Sequence, residues 1–231
     1  MLLLDGQLEP HMVGLLESKL EGIGFVRVDS DTPERLIRKE EEKSTGLDAN
    51  QTEVLTQIFK SQIPEVDNAQ FMVGFESISP DAAPATVTQN EFMRRMKDMA
   101  AMQPGMGFYG DMPANYSLTV NTDQAAVKVI AAEAQEAIGE KTGAILKEIE
   151  GLNSEIAAAS KEAQDKKESV PDMKEQNEKI SALRAELESV VKNYADGQPK
   201  VKQIIDLALL QSGLLKGAAL SDFIIRSARL L

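Results

Sequence analysis

Gly105-Met106-Gly107-Phe108-Tyr109-Gly110 has the GxGxxG spacing that can fold a backbone turn around a pyrophosphate. That chemistry needs a strand before the glycines and a helix opening after them, so that backbone N–H groups meet the phosphate. Here a Met-rich helical stretch comes first and Asp111-Met112-Pro113 follows, so the six residues read as a flexible loop. The single histidine, His11, stands beside Pro10 at a helix start, a setting for a capping or solvated imidazole. The chain has no Cys, which excludes disulfides, thiolate metal sites and cysteine nucleophiles together. HExxH, GxSxG and Walker A spacings are absent. Carboxylates are plentiful, but no two are paired by sequence context in an apolar setting that would split their pKa values for acid–base work. The residues point to apolar surface rather than to catalysis.

Two segments carry that surface. Phe92, Met93, Met96, Met99, Ala100 and Met102 form one face of a helical stretch, with Arg94, Arg95, Lys97 and Asp98 on the rest. Thr88 and Glu91 have the spacing of a capping box before it. Six of the ten Met residues fall between positions 93 and 112, and unbranched Met adapts to apolar partners of different shape. With Met106, Phe108 and Tyr109 in the glycine loop, this reads as an adaptable binding face; an ordinary core helix that uses Met is the alternative. The second segment is the chain's last thirty-odd residues. Pro199 suits a first helical turn and Gly213 a helix end. Val201, Ile204, Ile205, Ala208 and Leu209 recur at helical spacing, and Leu207 and Leu210 make that helix apolar nearly all round. Leu220, Phe223, Ile224, Ser227 and Leu231 share a face of the next helix, with Ile225 beside it. Two helices cannot bury each other on every side, so a partner hairpin from a second copy is expected, giving a two-fold four-helix bundle. Packing of the pair onto its own domain is the alternative.

The remaining elements must hold these surfaces. Leu2 to Leu4 reads as a strand at the very start, without an upstream partner, as expected of a piece of something longer. A helix over 9–21 follows, with Val13, Leu16 and Leu20 inward, and Phe25, Val26 and Val28 make a second strand, completing a βαβ-like unit. Residues 31–46 are charged and bounded by Pro and Gly, a linker. A helix over 48–62 carries Val54, Leu55, Ile58 and Phe59, and strands are predicted at 71–75, 85–88 and 116–120. Within 124–198, Ile145, Ile149, Leu152, Ile156, Ala159 and Ala163 step by 4 and 3, as do Met173, Gln176, Ile180, Leu183, Leu187, Val190 and Tyr194. These arms of roughly 23 residues, about 35 Å each, predict an inserted antiparallel coiled-coil hairpin, with Ser169-Val170-Pro171-Asp172 as a capping box between them. The expected fold is α+β: the βαβ-like unit and linker in 1–46, then a mixed three-stranded sheet with helices and the terminal helical hairpin in 47–231.

A net charge of −12 and a pI near 4.7 argue against nucleic acid and anionic membranes as partners. No run of apolar residues is long enough to span a bilayer, and MLLLDG is too short and acidic for a signal peptide. A cytoplasmic location is expected.

In order along the chain, LLLDGQLEPHMVGLLESKLEGIGFVRVDSD, NAQFMVGFESISPDAAPATVTQNEFMRRMKDMA, NYSLTVNTD and IIDLALLQSGLLKGAALSDFIIRSARLL resemble successive blocks at the C-terminal end of the heat-shock protein 90 chaperone family, in its bacterial form. The resemblance covers most of the chain outside 124–198, where the family usually has a short helix and loop. It implies a homodimer joined at its C-terminal helices that assists non-native client proteins in an ATP-driven cycle. By position, Phe92, Met93, Met96, Met99 and Met102 fall on the family's client-contact helix. Ile204 to Leu209 and Leu220 to Leu231 fall on its dimerisation helices. The family's ATP and magnesium site belongs to upstream domains, so no cofactor, catalytic residue or metal is expected in this stretch. A coiled-coil tether whose hairpin is the main interaction surface is the competing reading, and an enzyme using clustered carboxylates a distant third.

Overall fold

The computed structural model describes residues 9–20, 22–25, 44–89, 94, 113–166 and 173–229. Among them run helices α1 (Glu9–Lys19) and α2 (Ala49–Gln62), strands β1 (Ala69–Glu76), β2 (Ala85–Gln89) and β3 (Ala114–Asn121), and helices α3 (Ala125–Lys166), α4 (Lys174–Asp196), α5 (Pro199–Gln211) and α6 (Gly217–Ala228). The expected α+β class, with a mixed three-stranded sheet, is what forms.

Asp48 starts α2 with a capping box. Its carboxylate accepts from the Gln51 N–H at 2.8 Å, and the Gln51 side-chain oxygen accepts from the Asp48 N–H at 3.1 Å. The helix then buries Val54, Leu55, Ile58 and Phe59 on one stripe. Alternation places Phe71, Val73 and Phe75 of β1 on the packed face of the sheet and leaves Met72 72% exposed on the other. The strand order is β1-β3-β2, with β1 parallel and β2 antiparallel to β3. Register aligns Val73, Leu118 and Val87 in one row and Phe75, Val120 and Ala85 in the next. Helices α2 and α5 cover this face, α2 against β1 and α5 against β2. Phe59 meets Phe75 edge-on with ring centroids 5.9 Å apart.

Because β3 lies between β1 and β2, the connection from β1 to β2 must arch over the end of β3, where its backbone groups have no strand to pair with. Asn121, wholly buried, supplies the partners. Its amide nitrogen donates to the carbonyls of Ser79 (2.7 Å) and Ala83 (3.3 Å). Its oxygen accepts from the N–H groups of Ile78 (3.3 Å) and Asp123 (3.1 Å). Ser77 adds a bond to the Asp123 carboxylate at 2.7 Å.

Helix α3 has 42 residues, nearly twice the arm expected from the heptad reading. Its first turns, through Val127, Ile130 and Ala134, belong to the core shared by α2 and the sheet. Farther on, Ile145 and Ile149 are buried while Leu152, Ile156 and Ala159 are partly so, on the predicted stripe. Ion pairs from Lys141 to Glu186 (3.3 Å) and Lys179 to Glu148 (2.8 Å) tie α3 to α4 in antiparallel order. At its C-terminal end α4 returns to the core through Leu187, Val191 and Ala195 and packs against α2. The base of the helix pair is therefore continuous with the domain's own core rather than separate from it. Helix α4 starts at Met173 without a side-chain cap, and the capping residues expected at 169–172 lie outside the described residues.

In the N-terminal part, α1 forms as expected and Val13 is buried, but Leu20 is exposed because the helix ends at Lys19 and the chain turns away through Gly22 at φ +77°. Phe25 is not in a strand; its N–H donates to the Glu17 carboxylate at 2.7 Å. Leu2 to Leu4, Val26, Val28 and most of the 31–46 linker lie outside the described residues.

Candidate functional site

Among the described residues, α5 and α6 bring together exposed apolar side chains and a buried polar cluster. Pro199 opens α5, and the turn after it closes on Gly213, whose φ of +72° is a conformation that glycine adopts without strain. The Leu214 N–H then donates to the Leu209 carbonyl at 2.8 Å, satisfying the end of the helix and setting the angle at which α6 departs.

Of the residues predicted at a dimer axis, Val201, Ile204, Ile205, Ala208 and Leu209 are buried by this chain itself, as is Phe223. The reason is that α5 lies among α2, α3 and β2, so the stripe that periodicity marks as buried is spent on the domain's own core. Leu220 is partly buried against the same core, Ile224 is exposed, and Leu231 lies outside the described residues. Among the described residues, what remains open on the helix pair is Leu207 (44% exposed), Leu210 (42%), Ile225 (54%) and, of the predicted set, Ile224 (57%).

Between the two helices sits a polar cluster that periodicity did not flag. The Asp206 side chain is only 1% exposed. One of its oxygens, Oδ2, accepts from Nη2 of Arg226, while Oδ1 is buried and has no hydrogen-bond partner. Arg226 also donates through Nε to the Gln203 side-chain oxygen at 3.2 Å, and the Gln203 amide donates to the Ser227 hydroxyl at 2.9 Å. Burial pushes the Asp206 carboxyl above its usual range; the charges of Lys202 and Arg226 pull it back without cancelling that effect. The signal that could have found the cluster is a single charge inside each apolar run, IIDLALL and FIIRSA, since a lone charge in such a setting is buried only with a partner.

The predicted client face falls elsewhere. Phe92, Met93, Met96, Met99, Met102, Met106, Phe108 and Tyr109 all lie outside the described residues, so the structure leaves that assignment where the sequence put it. β2, which leads into this segment, is fixed by its pairing with β3. His11 lies in α1. Among the described residues no group of three or more His, Asp or Glu side chains is arranged to hold a metal ion, and no helix is long and apolar enough to cross a membrane.

No family model and no solved structure matched the chain. Curated relatives do match. Over 236 residues the chain is 42% identical to "Chaperone protein HtpG" of Porphyromonas gingivalis and 39% identical to "Chaperone protein htpG" of Bacteroides fragilis. It is 38% identical over 243 residues to the protein of the same name from Bacteroides thetaiotaomicron. Each alignment covers all of this chain but only 34% to 35% of the relative, so the chain spans about a third of their length. The alignments run through the stretch that forms α3 and α4. Whole-length identity at this level to three bacterial chaperones, together with the ordered blocks read from the sequence, shows that the chain belongs to the bacterial heat-shock protein 90 family, as its C-terminal region.

Proposed function

We propose that this region joins two copies of an ATP-dependent chaperone and offers an apolar surface to non-native client proteins. The observation that carries the dimer is the set Leu207, Leu210, Ile224 and Ile225, four large apolar side chains left open on the last two helices. Covering a side chain already half buried recovers about 1 kcal/mol, and a two-fold axis counts each one twice. In this reading α5 and α6 of each copy form the four-helix bundle, with the interface on these four residues rather than on the stripe that α5 buries at home. Phe92, Met93, Met96, Met99 and Met102, with Met106, Phe108 and Tyr109, are proposed as the client face on the strength of their Met content. ATP and its hydrolysis belong to parts of the relatives that this chain does not span, and the chain acts as a binding and assembly region rather than as an enzyme.

Sedimentation velocity tests the dimer. The wild type is expected to sediment as a dimer at micromolar concentration. Ile224→Asp with Ile225→Asp should give a monomer of unchanged helix content, because both positions are already exposed within one chain. A wild type that is monomeric at those concentrations refutes the proposal.

A further inference from the structure

Helix α6 is held to its own chain by little apolar contact. Of its twelve residues only Phe223 is fully buried, with Ala219 and Leu220 partly buried beside it, and a helix of that length is marginal alone. Apolar contacts of this extent attract without fixing an orientation, whereas hydrogen bonds are directional. Gln203 and Asp206 lie one turn apart on α5, and Arg226 reaches both: Nε to Gln203 and Nη2 to Asp206. Gln203 in turn holds Ser227, the residue next to Arg226. These contacts fix both the rotation of α6 and its position along α5. A slip of α6 by one residue would strand the Asp206 carboxylate, 1% exposed and with one oxygen already unpartnered. Ile224 and Ile225 directly precede Arg226, so whatever sets Arg226 sets the direction in which they point.

We propose that Gln203, Asp206, Arg226 and Ser227 form a positioning latch that fixes α6 on α5 and thereby determines how the Ile224–Ile225 edge meets a second copy of the chain. The second half of this statement rests on the dimer reading above; the first does not. The latch accounts for a charged residue in the middle of α5, where an apolar one would bury more surface. Its expected value is one arrangement of the dimer rather than several.

Two measurements on the whole chain test it. Amide hydrogen exchange reads the latch within one chain: Arg226→Met, which strands Asp206, should speed exchange in α6 by at least about tenfold with α2 unchanged. The double variant Asp206→Leu/Arg226→Met, which removes both charges, should restore protection. Unchanged α6 exchange in Arg226→Met overturns the latch, whatever the oligomeric state. The second measurement uses the absence of Cys. A single Cys placed in turn by Leu207→Cys, Leu210→Cys, Ile224→Cys and Ile225→Cys should give disulfide-linked dimers in yields that differ strongly between positions. In the Asp206→Leu/Arg226→Met background the differences should flatten. The same position dependence in both backgrounds overturns the orienting role. No disulfide at any position in either background overturns the dimer reading, while the exchange result still decides the latch.

Discussion

Asn121→Ala is expected to be among the most damaging single polar substitutions in this domain. The side chain is wholly buried and makes four hydrogen bonds to the backbone, at 2.7 and 3.1 Å and twice at 3.3 Å. Removing it strands the Ala83 carbonyl and two N–H groups, Ile78 and Asp123, at the end of the sheet, while the Ser79 carbonyl keeps the Ala82 N–H at 3.2 Å. A buried backbone group left unsatisfied costs about 1–3 kcal/mol. The 3.1 Å bond is put at about 1–1.5 kcal/mol, and the two longer ones and the bond to the still-partnered Ser79 carbonyl at about half that each, since the β1–β2 connection can shift to admit water. The sum is about 2.5–4 kcal/mol. Urea denaturation followed by circular dichroism reads it as a lower midpoint at unchanged slope. Ser77→Ala is the control: it removes one bond, to Asp123, at a partly buried site and should cost about 1 kcal/mol or less. Asn121→Asp should be at least as damaging as Asn121→Ala at neutral pH, because it turns a carboxylate oxygen toward two carbonyls. An Asn121→Ala loss below about 1 kcal/mol would show that the connection finds other partners and that the accounting is wrong.

Phe59→Ala empties a fully buried site against Phe75 and should cost about 3–5 kcal/mol, read by the same denaturation; a loss near 1 kcal/mol would mean that the core collapses into the space. For Asp206, burial raises the folded carboxyl above the ordinary 3.8, so its stabilising contribution is present below about 3.8 and is lost as pH rises through the folded value. Arg226, Lys202 and Asp222 are the charges that act on it. Against the Asp206→Leu/Arg226→Met variant, the wild type should therefore lose stability as pH rises from about 4 through that value, measured by denaturation in steps of pH. A relative gain across that window would refute the assignment.

The sheet and α2 were legible because their signals are local. Val54, Leu55, Ile58 and Phe59 repeat at helical spacing, and β1 alternates residue by residue. The capping box at Asp48 and Gln51 is equally local. The length of α3 was not read because its first turns are rich in Ala, which carries a weak periodic signal: Val127, Ile130 and Ala134 continue backward the same 3–4 stripe that starts clearly only at Ile145. That Val201, Ile204 and Ile205 are packed within one chain was not legible for a different reason. Periodicity marks which face of α5 is buried and says nothing of whose atoms bury it, so Val201, Ile204 and Ile205 looked like partner contacts when β2, α2 and α3 already covered them. Asp206 and Arg226 were invisible to a reading of apolar positions alone.

The closure of one core by residues as far apart as Val54 and Phe223 sets an order of events during synthesis. α2 and the strands leave the ribosome first, yet the helix that covers β2 begins only at Pro199. At usual elongation rates the roughly 78 residues between β3 and α5 take about 4 to 16 seconds to appear. Through that interval the sheet face bearing Val87 and Leu118 waits without its lid. The growing chain is thus itself a non-native protein with exposed apolar surface, open to capture by chaperones already made. α6, proposed above as the assembly face, comes into being only as that exposure ends.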